Sequence, residues 1–133
     1  SYGFHSRLGA VYTYGEDLTR NEPLPEVPPL ELRAQFGGRL LENGKLHPML
    51  HLRHALRQGR NAAFFGETET PAFTVVDAVV QYALNSRISL TAGVENLLDA
   101  HYYEHLNRAT VAAQRPLFAP GRNAYLTLSA RLP

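Results

Sequence analysis

The chain has 133 residues, 44% of them hydrophobic, and its 13 basic and 12 acidic side chains leave a formal net charge of +1. That balance excludes the strongly basic footprint of a nucleic-acid binder, and the lack of cysteine excludes disulfide frameworks, thiolate metal sites and cysteine nucleophiles. No run of roughly 18 apolar residues offers a membrane helix, and no cationic head followed by an apolar stretch reads as a signal peptide. A membrane barrel stays open, because alternating strands carry a weaker hydropathy signal.

Six segments alternate with period two: 2–14, 30–41, 46–57, 73–84, 88–98 and 122–132. The first sets Phe4, Leu8, Ala10, Tyr12 and Tyr14 against Gly3, His5, Arg7, Gly9 and Thr13. The second sets Leu30, Leu32, Ala34, Phe36, Gly38 and Leu40 against Glu31, Arg33, Gln35, Gly37 and Arg39. In the third, His47, Met49, His51 and Arg53 alternate with Leu46, Pro48, Leu50, Leu52 and His54. The fourth opposes Thr74, Val76, Ala78, Val80, Tyr82 and Leu84 to Phe73, Val75, Asp77, Val79, Gln81 and Ala83. The fifth opposes Ile88, Leu90, Ala92 and Val94 to Ser89, Thr91, Gly93 and Glu95, and the sixth Ala124, Leu126, Leu128, Ala130 and Leu132 to Asn123, Tyr125, Thr127, Ser129 and Arg131. None of the even-numbered residues named here is Asp, Glu, Lys or Arg, and His54 is the one imidazole among them.

Prolines punctuate these strands, since proline has no ladder donor. Eight of nine lie between or after the segments, and only Pro48 sits within the start of one. Connectors alternate short and long: 43–45, with the hairpin signal Asn43-Gly44, and 85–87 are tight, whereas 15–29, 58–72 and 99–121 each run about 15 residues or more.

A soluble β-sandwich also alternates, so it remains a rival as a binding module. Three features favour lipid: strands long enough for a tilted span, short turns at one end against long loops at the other, and an Arg-rich polar face. Aromatics near strand ends (Tyr12, Tyr14, Phe64, Phe65, Phe73, Tyr102, Tyr103) suit an interface belt. The expected fold is therefore all-β, an antiparallel transmembrane β-barrel segment. Six strands are too few to close such a barrel, so further strands must pair with both edges.

The stretch Gly93-Val94-Glu95-Asn96-Leu97-Leu98-Asp99-Ala100-His101-Tyr102 resembles the penultimate strand and following loop of TonB-dependent outer-membrane receptors. Pro71-Ala72-Phe73-Thr74-Val75-Val76-Asp77, Pro120-Gly121-Arg122-Asn123 and Leu24-Pro25-Glu26-Val27-Pro28-Pro29 resemble other strand openings of that family, in order. The resemblance implies that residues 1–133 are the six C-terminal strands of a 22-stranded barrel in the bacterial outer membrane, with the plug domain absent. It also implies energised import of a scarce nutrient, driven through TonB. A passive porin is the alternative within the membrane. Expected partners are the remaining barrel strands and the plug, TonB through that plug, and outer-membrane lipid, with no nucleic acid. The family usually ends on an aromatic residue, whereas this chain stops at Leu132-Pro133.

No catalytic triad, phosphate loop or paired carboxylate supports an enzyme. The densest metal-competent run is His101 to His105, and His101, Tyr103, Glu104, His105 and Arg108 are the candidate ligand contacts. Imidazole and carboxylate suit divalent transition metals, and guanidinium suits an anionic chelate. The bland reading makes Tyr102 and Tyr103 interface anchors and the histidines ordinary loop residues. Glu31, Arg33, Arg39, His47, His51, Arg53, Asp77, Glu95 and Arg131 are expected to face the lumen, forming ion-pair ladders. His47 and His51 lie too far apart along a strand to share one metal. His54 is read as interfacial, and Asn96 and Asp99 as turn formers that bond nearby amides. The expected cargo is an iron chelate or a metal ion, with no covalently bound cofactor.

Overall fold

The computed structural model describes residues 3–41, 44–109 and 115–132. Eight strands follow in chain order: β1 Gly3–Val11, β2 Glu16–Asp17, β3 Glu22–Pro23, β4 Glu31–Arg39, β5 Leu46–Ala55, β6 Phe73–Ala83, β7 Ile88–Glu95 and β8 Asn123–Ala130. Six of them form one antiparallel sheet in the order β1-β4-β5-β6-β7-β8, with no α-helix among the described residues. All six expected segments are present, each trimmed by one to three residues at an end, so Tyr12 and Tyr14 lie beyond β1 in the loop.

Register decides which residues share a face, because directly opposed residues of antiparallel strands project to the same side. Phe4 pairs with Gly38, Phe36 with Leu50, Leu50 with Ala78, Val94 with Ala78 and Ala92 with Leu126. Every cross-strand partnership in the sheet couples even with even or odd with odd, so one unbroken apolar face runs across all six strands. Large side chains on it stay open: Phe4 is 80%, Leu8 76% and Leu126 70% exposed. An apolar face of that extent needs lipid or protein to cover it. Both outer strands, β1 and β8, are exposed along their whole length.

Two glycines on the odd face make room for cross-strand rings. A Cβ at Gly93 would overlap Cζ of Tyr125, its direct partner on β8, and one at Gly37 would stand 2.6 Å from the ring of His5, its partner on β1. Each ring therefore shields bare backbone on the neighbouring strand.

The small buried cluster sits at the long-loop end of the odd face. Ala55, Phe73 and Val75 are its members, and Tyr102 stacks on Phe73 at 4.3 Å between ring centroids. The segment after β7 thus folds back over the odd face, and Tyr102 and Phe73 are packing residues there instead of belt aromatics. Phe64 and Phe65, in contrast, remain mostly exposed.

The connectors hold more structure than their composition announces. Residues 12–30 contain the β2–β3 hairpin, where Asp17 Oδ1 accepts the Thr19 and Arg20 N–H groups at 2.9 and 3.2 Å and Asp17 Oδ2 pairs with Arg20 at 2.9 Å. The short turn before β7 is an Asx turn, with Asn85 Oδ1 accepting from Arg87 and Ile88 N–H. In the other short turn Gly44 adopts φ +62° and its N–H donates to the Leu41 carbonyl, while Asn43 lies outside the described residues.

Candidate functional site

Two polar groupings meet at the long-loop end, one on the wall and one within the loops. On the wall, Arg33 and Arg53 are direct cross-strand partners, a like-charge pair that would repel if left alone. Glu31 bridges them: its Oε1 bonds Arg33 Nε, and its Oε2 lies 3.1 Å from Arg53 Nη1. The other arm of Arg53, Nη2, reaches Glu104 at 2.6 Å, and its guanidinium lies 5.1 Å above the Phe73 ring. One row further from the loops, Arg7, Gln35, His51 and Asp77 are successive partners across β1, β4, β5 and β6. Together these two rows line a recess of about 600 Å³ on the odd face.

Within the loops, Glu67 is the meeting point of three chain segments, and its side chain has no solvent exposure. Gly66, at φ +71°, turns the chain so that this carboxylate points inward. Its Oε1 accepts the Glu26 N–H at 2.6 Å and an Arg108 Nη2 at 2.6 Å, and its Oε2 accepts the Ala62 N–H at 2.9 Å. Arg108 also donates to the His105 carbonyl at 2.9 Å. His105 Nδ1 shares a hydrogen bond of 2.7 Å with the Thr70 hydroxyl, while its Nε2 lies 3.8 Å from Glu67 without a hydrogen-bond partner. Burial would raise the Glu67 carboxyl, but the N–H groups of Ala62 and Glu26 and the Arg108 charge hold it below the usual carboxylate range. Burial, reinforced by Arg108, pushes the His105 imidazole below its ordinary value against the pull of Glu67.

Hydroxyl, imidazole and carboxylate in this order resemble a nucleophilic relay in residue type alone. Thr70 is 1% exposed and 3.8 Å exceeds a hydrogen bond, so no substrate can reach the hydroxyl and no relay is joined.

The five candidate ligand contacts are accordingly dispersed. His105 is buried against Thr70, Arg108 is engaged by Glu67 and Glu104 by Arg53. His101 remains exposed and stacks on Phe118 at 3.9 Å, with Tyr103 edge-on to the same ring at 5.4 Å. Among the described residues no group of three or more His, Asp or Glu side chains could hold a metal. The two imidazoles part because the segment is not an α-helix: Glu104 is extended and only His105–Asn107 form a single 3-10 turn.

The residues expected to face the lumen all bear odd numbers, and those within β4 to β7 share the odd face of the sheet. Glu31, Arg33, His51, Arg53 and Asp77 gather around the recess, where Asp77 Oδ1 also accepts the Asn96 N–H at 2.8 Å. Arg39 and His47 lie toward the short-turn end, where the His47 ring donates to the Gly44 carbonyl. Glu95 opposes Asn123 at the long-loop end, and Arg131 follows β8 at the opposite end. His54 and its partner Thr74 satisfy each other on the apolar face at 2.8 Å.

Asn96 and Asp99 close the longest loop. Asn96, at φ +49°, accepts the Ala100 N–H and donates to the Ala100 and Pro120 carbonyls. Asp99 Oδ1 accepts the Arg122 N–H at 2.8 Å, and a Cβ at Gly121 would come within 2.9 Å of that oxygen. Side chain, glycine and arginine amide thus bind the two ends of the loop together. Glu67, Thr70 and Phe118 carry no signal of their role in the sequence, because their partners are 35 or more residues away or join only through folded loops.

An open antiparallel wall with one apolar face, short turns at one end and interlocked loops at the other defines a section of a membrane β-barrel. Residues 1–97 match the family described as TonB dependent receptor-like, beta-barrel, and the chain belongs to that family. It is 28% identical to the metal-pseudopaline receptor CntO of Pseudomonas aeruginosa over 144 aligned positions, covering 98% of this chain and 18% of that protein. Among solved structures it superimposes on the copper transporter OprC with a TM-score of 0.83 at 26% identity, covering 96% of this chain and 21% of that one. The ferric-catecholate import receptor Fiu from Escherichia coli K12 shares the fold, with a TM-score of 0.68 at 16% identity over 96% of this chain and 18% of its own. The chain therefore spans about a fifth of the length of these relatives. TonB-dependent receptors reside in the bacterial outer membrane and are transporters, not enzymes. Membership implies the rest of the barrel.

Proposed function

We propose that this wall belongs to a receptor that imports a metal chelate across the outer membrane, energised through a plug domain and TonB. The observation that carries the reading is the recess of about 600 Å³ on the odd face, where Arg7 stands beside Gln35, His51 and Asp77 and next to the Arg33 and Arg53 pair that Glu31 bridges. Its size suits a small chelate, and guanidinium forks bind carboxylate and related oxyanions through charge-assisted bonds. The relative CntO, a receptor for a metal complex, supports the same cargo class. A ferric siderophore or similar chelate ranks above a bare ion, because the histidines that would coordinate a bare ion stand apart: His105 is buried and His101 is stacked on Phe118. His101, Tyr103 and Phe118 then serve as a first aromatic contact at the extracellular mouth.

Uptake of radiolabelled metal chelates by cells carrying or lacking the gene tests this directly. Uptake of one chelate should disappear with the gene and also in a strain without TonB, while the uncomplexed ion enters equally in all strains. Uptake that persists without TonB would point to a passive pore, and no gene-dependent uptake of any chelate would refute the cargo class.

A further inference from the structure

Two arginines stand directly opposite each other at the short-turn end of the β7–β8 pair. The register that ends with Ile88 opposite Ala130 continues by one residue, where the Arg131 N–H donates to the Arg87 carbonyl at 2.9 Å. Directly opposed residues share a face and hold their Cβ atoms about 5 Å apart, and like charges so placed are destabilising. The other end of the sheet contains the same arrangement with its remedy. There Arg33 opposes Arg53, and the Glu31 carboxylate takes one guanidinium on each oxygen.

Nothing comparable serves Arg87 and Arg131 among the described residues. They line a recess of about 440 Å³ with Asn85, Ser86, Ser89 and Ser129, and none of its lining residues carries a carboxylate. Asn85 Oδ1 is already committed to the Arg87 and Ile88 N–H groups, which leaves its amide hydrogens as donors. Ser89 and Ser129 are themselves direct partners and add two hydroxyls to the same wall. Glu42, in the connection between β4 and β5, lies outside the described residues. The site is thus a donor-rich recess around a pair of cations that no described residue bridges.

We infer that this recess binds an oxyanion, a phosphate group, which does for Arg87 and Arg131 what Glu31 does for Arg33 and Arg53. The anion sits on the odd face at the short-turn end, far from the cargo recess, and its binding does not depend on what the receptor imports. Its source is either free phosphate or the phosphodiester headgroup of a lipid at the rim.

Thermal unfolding of the complete protein in detergent, with inorganic phosphate titrated against chloride at constant ionic strength, reads the site. Wild type should show a saturable rise in Tm, and Arg87→Gln and Arg131→Gln should each weaken the apparent affinity about tenfold or more, the loss of one charge-assisted contact. Arg131→Glu places a carboxylate opposite Arg87, so it should melt above Arg131→Gln and ignore phosphate. Nanodiscs of phosphatidylglycerol and of phosphatidylcholine separate the sources: a gain specific to the anionic lipid, lost in both Gln variants, assigns the headgroup. A protein that responds to neither phosphate nor anionic lipid, or whose Gln variants respond like wild type, overturns the inference.

Discussion

Replacing Glu67 by alanine removes the acceptor at which three loop segments meet. The Glu26 and Ala62 N–H groups lose their partner, and Arg108, whose side chain is 12% exposed, loses its counter-charge. Each unsatisfied buried donor costs about 1–3 kcal/mol, and an unpaired, largely buried cation adds a comparable amount. Water entering the vacated space recovers part of this, so a net loss of about 3–5 kcal/mol is expected. The loss is local, because every group involved lies in a loop while the six-stranded ladder keeps its hydrogen bonds. Hydrogen exchange of the complete protein in detergent is the suitable assay. Protection of the Glu26 and Ala62 amides should fall about 10²- to 10⁴-fold, with β5 and β6 unchanged. Glu67→Gln keeps one acceptor oxygen and should lose roughly half as much. Protection at both amides within threefold of wild type in Glu67→Ala would refute the role assigned to this carboxylate.

Acidification should loosen the same loops in two stages. Burial holds the folded His105 imidazole below the pKa of about 6.5 it has when unfolded, so stability declines as pH falls below that value toward the folded one. The Glu67 carboxyl is lowered in the folded state, so a second decline begins below about 4.5 and continues to its folded pKa. Limited proteolysis between pH 8 and pH 4 should be flat above neutrality and accelerate in acid, and His105→Gln should abolish the first stage alone. The isolated 133-residue chain should fail to form a monodisperse monomer without detergent, because β1 and β8 leave their outer edges unpaired and the even face is largely apolar. Size-exclusion chromatography with light scattering checks this, and a detergent-free monomer with native strand content would contradict it.

Strands and faces were legible in the sequence because the period of a strand is a local property. Alternation over 30–41 separates Leu32, Ala34 and Phe36 from Glu31, Arg33 and Gln35 whatever the strand pairs with, and proline marks where alternation stops. Asn96 was legible for the same reason, since its short polar side chain bonds the Ala100 backbone of its own turn, whereas Asp99 accepts the Arg122 N–H from the far end of the loop. The β2–β3 hairpin leaves no such trace, because two residues per strand are too few to show a period.

Only the tertiary structure decided which charged and aromatic groups meet. His101 and His105 look like one metal-competent run in sequence, but an extended Glu104 sends them to different surroundings, and Thr70, 35 residues away, captures His105. Whether an arginine is neutralised depends likewise on strand register: Glu31 lies within reach of both Arg33 and Arg53, whereas Arg87 and Arg131 meet across a register that brings no described carboxylate. Alternation is set by the geometry of one strand, and contact between distant residues by the closure of loops and the pairing of strands, which no local pattern encodes.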